Sequence, residues 1–258
     1  MTEFLTRLDP GMAPSLLLAA FGVALGAGMI KGLVGFAMPM VMISGLSLFL
    51  PPDIALGALI LPTFVSNLMQ MLRGGVAGLG ALMARFRLYL LCLVVVLLGA
   101  TQIVTMLSER VFFVCLGVPV MAFSLLQLAG WRVPFSAGNR WAEAAFGTIS
   151  GFVGGLSGVW GPPTVAYLTA LNLAKAEHVR VQGLIYFVGS VMLLLGHLRS
   201  GIVNERTLPL SAALLLPAIA GVFIGRTLQD RIAQDTFRRA TLIVLLLAGA
   251  NLLRRALF

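Results

Sequence analysis

Lys31 is the residue whose type and setting most demand chemistry. It stands in GMIKGLVGFAMP, Gly28 to Pro39, at the end of an apolar run with no acid within four residues. An ammonium at membrane depth costs about 2.5 to 3.5 kcal/mol on insertion scales, so it calls for a partner, an aqueous cavity or a negatively charged solute. The alternative is a topological charge at a helix end that reaches up to the headgroups. The stretch around it recurs 123 residues later as GFVGGLSGVWGP, Gly151 to Pro162. Both copies read G-x-x-x-G-x-x-G-x-x-x-P, so that Gly28, Gly32, Gly35 and Pro39 pair with Gly151, Gly155, Gly158 and Pro162. Gly154 stands opposite Lys31, uncharged.

A glycine run closed by proline is expected to interrupt a helix, since Gly costs about 1 kcal/mol in a helix interior and Pro removes a backbone donor. Interrupted apolar segments at matching places in two halves point to a transporter binding site. Half-helices starting near Pro39 and Pro162 would aim unpaired N–H groups and positive dipole ends at one point, which suits an anion. Gly32, Gly35, Gly158 and Gly161 would let it approach the backbone. Ser157 and Trp160 lie within the second copy. Asn67 and Gln70 share a helical face three residues apart, with Thr63 and Ser66 beside them. Gln182 and Tyr186 share another. These side chains complete the candidate binding set, although each type also serves as a helix–helix hydrogen-bonding group. His178 reads as solvated in a charged loop, and His197 as a structural histidine at a helix end.

Composition bounds what surrounds this site. Of 258 residues 59% are hydrophobic and 10% charged, with mean hydropathy +1.01, where a soluble domain is roughly 25% charged. The runs are long enough to span as helices, and the alternation of a membrane barrel is missing. The chain therefore reads as an all-α integral membrane protein without a separate soluble domain. The net charge of +9 sits mostly in short loops, where it sets topology rather than binding nucleic acid. Cys92 and Cys115 fall in apolar helices with no metal-ligand spacing around them. Residues 1–11 mix acid and base, and no cleavage motif follows the first apolar run, so no removed leader is expected.

The elements that must position the site follow in order. An apolar segment over 14–30 leads to the break and a shorter arm over 39–50, which reaches only about 18 Å at 1.5 Å per residue. Helices are expected over 54–72, 88–107 and 111–129, then a polar linker over 130–140. The second half repeats the plan over 141–156, 162–173, 181–198, 207–225 and 240–253. The domains are thus two membrane repeats, 1–130 and 131–258. Each is a broken or re-entrant helix pair plus three transmembrane helices, and that odd number inverts one repeat relative to the other. With the broken segments returning to their starting side, 12 Lys/Arg fall on one face and six on the other. The positive-inside rule then puts both termini outside the cell membrane.

Ile30 to Phe36 (I-K-G-x-x-G-F), Pro39 and the Pro51-Pro52 turn, together with Gly147 to Pro163, Tyr167 and Gln182-Gly183-Leu184, resemble the TauE/SafE family of sulfite and sulfonate exporters over nearly the whole chain. Where many members carry a denser glycine cluster, this chain has Phe36-Ala37-Met38 and Val159-Trp160. The resemblance implies export of a small anion bearing a sulfur oxyanion or carboxylate, without a bound cofactor.

The expected function is therefore anion export by alternating access around the two breaks, with substrate contacts at Lys31, Gly32, Gly35, Pro39, Asn67, Gln70, Ser157, Gly158, Trp160, Gly161, Pro162 and Gln182. No catalytic or metal residues are expected, since no Asp or Glu lies well inside a helix and no H-E-x-x-H or paired membrane aspartates are present. An intramembrane enzyme is disfavoured on the same ground. An anion channel or an accessory membrane subunit is the alternative. The partners expected are the small anion and the lipid bilayer, with room for a homodimer and none for nucleic acid.

Overall fold

The computed structural model describes residues 14–73, 75–130, 139–228 and 234–257. The N-terminal stretch, most of the 130–140 linker and the 229–233 connection, on which some expectations above rest, lie outside them. Among the described residues the fold is all-helical: α1 (Pro14–Val34), α2 (Met38–Leu46), α3 (Pro52–Arg73), α4 (Leu79–Arg85), α5 (Arg87–Ile103), α6 (Glu109–Leu128), α7 (Arg140–Ser157), α8 (Gly161–Ala170), α9 (Lys175–Ser200), α10 (Thr207–Leu228) and α11 (Gln234–Leu257). Six helices among the described residues are long and apolar enough to cross a membrane: α1, α3, α5 with its 3-10 extension to Met106, α6, the Glu177–Ser200 part of α9, and α10.

The short arms are shorter than expected. At 1.5 Å per residue, α2 and α8 reach only about 14 and 15 Å, half of a hydrocarbon core. Two other expectations need correcting. The loop over 73–87 contains the short helix α4, and His178, expected in a loop, belongs to the first turns of α9, where it is half-buried.

The pairing of helices repeats when the halves are exchanged. α1 packs along α10, and its counterpart α7 along α5, the counterpart of α10. α3 meets α9, and α6 meets α11, so that equivalent helices face each other. The start of α3 (Pro52, Asp53), the end of the α5 extension (Val104, Thr105) and the start of α6 (Glu109) gather around one cleft with the end of α9 (Ser200) and Asn204 before α10. Arg255, near the end of α11, pairs with Glu109 at the same place, 3.7 Å away. Equivalent helices thus reach this face with opposite ends, an arrangement consistent with inverted repeats.

The glycines behave differently from the expectation that they break the helix. Gly28 and Gly32 lie inside α1, and Gly151 and Gly155 inside α7. A Cβ on Gly28 would stand 2.0 Å from the Ala218 carbonyl oxygen, and one on Gly32 2.4 Å from that of Val222. α10 answers with Gly221 and Gly225, whose Cβ positions fall 2.1 Å from the carbonyl oxygens of Leu25 and Met29. In the other half, Gly151 and Gly155 meet the Leu93 and Leu97 carbonyls at 2.6 and 2.5 Å. Without a hydrophobic driving force in lipid, helix association relies on such close backbone approach. The first two glycines of each motif are therefore seams.

The third glycine ends the helix. Gly35 (φ 81°) and Gly158 (φ 72°) both take the left-handed conformation, and their N–H groups close onto Lys31 O at 2.8 Å and Gly154 O at 2.7 Å. This is the αL C-cap that glycine favours. The proline then opens the next arm, Pro39 and Pro162 each standing second in α2 and α8. A position whose lost N–H would have had no partner is where proline is tolerated.

Candidate functional site

The two caps come together. Lys31, Phe36, Ala37, Pro39 and Met40 from the first break line one cavity with Gly158, Val159, Trp160 and Gly161 from the second, and with Asn67 of α3 and Tyr186 of α9. Its volume is about 10 Å³, room for roughly one water molecule. Gly154, packed by the Trp160 ring, is small enough to let that indole turn inward, and Gly189 receives its other side.

Lys31 is 5% exposed, and its Nζ donates to Asn67 Oδ1. Asn67 in turn donates from Nδ2 to the carbonyl of Tyr186 at 3.1 Å. An ammonium can only donate and a carbonyl can only accept, so the orientation of the amide between them is forced. Among the described residues no carboxylate pairs with Lys31. The charged neighbour whose field reaches it is Arg226 of α10, of the same sign. The cavity therefore carries one cation whose charge no carboxylate among the described residues cancels.

Helix dipoles supply less than the sequence suggested. α8 begins Gly161-Pro162-Pro163, so only Gly161 offers a first-turn N–H there, and Thr164 N–H is spent on Trp160 O at 3.3 Å. α2 loses one donor at Pro39. Ala37, ahead of α2, sits at φ 74°, a left-handed conformation that costs a residue with a Cβ roughly 1 kcal/mol or more. The strained residue lines the cavity, where such outliers tend to collect.

Of the residues expected to bind substrate, Lys31, Pro39, Asn67, Gly158, Trp160 and Gly161 line the cavity. The others do not. Gly32 is buried in the α1–α10 seam. Gly35 caps α1, and its carbonyl accepts from Gln182 Nε2 at 3.2 Å. Gln182 therefore ties the first break to α9 instead of facing the cavity. Ser157 Oγ donates to Val153 O at 2.5 Å and accepts from Val159 N–H at 3.2 Å, which shapes the second break from inside. Pro162 is buried just behind Gly161. Gln70 is buried one turn beyond Asn67, with Oε1 unpaired among the described residues.

Phe36, Ala37, Met40 and Val159 line the cavity without having been expected there, and Tyr186, weighed beside Gln182 from the sequence, lines it too. Tyr186 carried a signal, its place one turn from Gln182, and its hydroxyl donates to Gly161 O at 3.4 Å. The others flank the glycines as ordinary apolar residues, which gives sequence reasoning nothing to hold. His197 is fully buried in α9, with Nδ1 3.1 Å from Ser200 Oγ. Among the described residues no group of three or more His, Cys, Asp or Glu could hold a metal ion.

Comparison with known proteins adds one finding. No curated protein and no solved structure matches the chain. The family model described as Sulfite exporter TauE/SafE matches residues 20–252, nearly the whole of the helical chain just described. The chain belongs to the TauE/SafE family of sulfite exporters, membrane transporters of sulfur-containing anions.

Proposed function

We propose that the chain exports a small anion, namely sulfite, a sulfonate or a related sulfur oxyanion or carboxylate, by alternating access around the two breaks. The observation that carries this is Lys31: a buried ammonium, unpaired by any described carboxylate, in a cavity that both breaks line. The two membrane repeats, 1–130 and 131–258, are read as inverted, and the cell membrane holds the chain with both termini outside. Alternating access then rocks one repeat against the other about the cavity. An anion leaving a cell that is negative inside gains about 2.3 kcal/mol per charge per 100 mV, so export needs no coupled ion. Neither a cofactor nor a chemical step enters.

A carrier is favoured over a channel because the cavity between the breaks holds about one water. A site that closes this far must reshape to pass each solute, whereas a pore keeps a continuous path. The purified chain in liposomes should release preloaded sulfite and show counterflow against external sulfite. Lys31→Ala should insert normally and lose the flux. Flux without counterflow would make the protein a channel, and normal flux in Lys31→Ala would remove the lysine from the site.

A further inference from the structure

We infer that Asn67 is an internal stand-in for the substrate's anionic oxygen, which the substrate must displace from Lys31, and not a ligand of the substrate. The inference rests on the anion-export reading and says how the site is kept closed between cycles. Three observations carry it. The side-chain acceptor that Lys31 Nζ reaches is the amide oxygen Oδ1 of Asn67, in a cavity with room for one water and none for a multi-atom oxyanion. The amide keeps its oxygen on the Lys31 side, because Nδ2 donates to the Tyr186 carbonyl at 3.1 Å. And both residues are buried, Lys31 at 5% and Asn67 at 1% exposure, so bulk solvent does not compete for the pair.

An amide oxygen carries only a partial charge. Against an ammonium it makes a weaker bond than an ionised oxygen does, because hydrogen bonds with both partners charged are the strong ones. Paired with Asn67, Lys31 is thus satisfied well enough to stay buried and poorly enough for an anion to displace the amide. Asn67 also links that exchange to the clasp on α9. Tyr186, whose carbonyl holds the amide, reaches Gly161 in the second break, and Gln182, one turn earlier, holds Gly35 in the first. Displacing Asn67 from Lys31 loosens a contact in the one turn that holds both breaks.

The test uses the full chain, purified and in liposomes, with sulfite and methanesulfonate as probes. In Asn67→Ala and Asn67→Ser the competing acceptor is gone or shortened, and the anion concentration giving half-maximal counterflow should fall about tenfold, the worth of one hydrogen bond to a charged group. Asn67→Asp places a full negative charge at the same point. It should fold, resist heating at least as well as the parent, and lose saturable anion response. Weaker anion binding in Asn67→Ala and Asn67→Ser would make Asn67 a substrate ligand and overturn the inference while leaving the export reading intact. Undiminished transport by Asn67→Asp would overturn it as well. Failure of the parent protein to respond to either anion would instead strike the export reading, and this inference with it.

Discussion

Ser211 on α10 answers for Pro62 inside α3. Pro62 has no N–H, so the Ala58 carbonyl four residues earlier has no donor in its own helix, and Ser211 Oγ donates to it at 3.0 Å. The same oxygen accepts from Leu61 N–H at 3.1 Å. In a bilayer the groups freed by a helix proline must find partners from neighbours. Ser211→Ala should therefore destabilise the protein by about 1 to 2 kcal/mol, the cost of leaving buried backbone groups unpaired. The double change Pro62→Ala with Ser211→Ala should lose less than Ser211→Ala alone, because the restored N–H takes over the Ala58 carbonyl. Additive losses in thermal unfolding would show that the two are uncoupled.

The seams can be separated from the breaks on α1 itself. Gly28→Ala would press a Cβ to 2.0 Å from Ala218 O, while a Cβ on Gly26 meets nothing within 4 Å. Overpacking at Gly28, and at Gly151 in the second half, should cost about 1 to 3 kcal/mol and lower the yield of folded protein. Gly26→Ala should be neutral or slightly stabilising. Equal effects at Gly26 and Gly28 would mean that helix propensity, not packing, decides.

Tyr89 of α5 lies between the second break's two arms. Its hydroxyl is 2.6 Å from Ser150 Oγ of α7 and 2.8 Å from Thr164 Oγ1 of α8, and its ring stacks on Tyr167 with centroids 5.0 Å apart. Tyr89→Phe keeps the ring and removes the bridge. A loss of about 1 to 2 kcal/mol in unfolding is expected, together with slower counterflow, since the stronger of the ties between α8 and α7 is gone. Only the 3.5 Å Ser150–Thr164 contact is then left of this hydroxyl cluster. Unchanged unfolding and flux would reduce the hydroxyl cluster to filler.

The Arg85–Glu177 pair should matter little. It joins α4 to the start of α9, with the two side chains 53% and 36% exposed. Exposed pairs of this sort are worth less than about 1 kcal/mol and weaken with salt. Arg85→Ala should therefore leave the melting temperature in high salt where it was. A large, salt-independent drop would show that the pair holds α4 in place.

Orientation can be read chemically. With Cys92 and Cys115 replaced by Ala, a cysteine at exposed Glu205 should react with an impermeant thiol reagent added outside cells. One at exposed Ala84 in α4 should react only after the cells are opened. The reverse pattern would invert the proposed topology.

Much of the helix plan was legible because composition and length speak directly about lipid. Uncharged runs long enough to span, with arginines between them, have few alternatives in a bilayer. The break itself was legible too, since a glycine that must turn left-handed and a proline that cannot donate are local necessities, and Gly35, Pro39, Gly158 and Pro162 sit where those necessities arise. Gln182 shows the limit. Its place one turn from Tyr186 was visible, but that its amide would hold Gly35 depends on how α9 crosses the first break, a contact 147 residues apart in sequence.

By itself, the sequence determined a helical membrane protein with paired interruptions and one lysine beside the first of them. It could not say why Gly28, Gly32, Gly151 and Gly155 were there, because a missing Cβ weakens a lone helix and strengthens a helix with a close neighbour. Only the packing of α1 on α10 and of α7 on α5 chose between those effects. The same holds for Lys31. Its charge was plain from the chain, but its partner, Asn67, is brought to it by the way α3 lies across the break, and no local rule of spacing reaches that far.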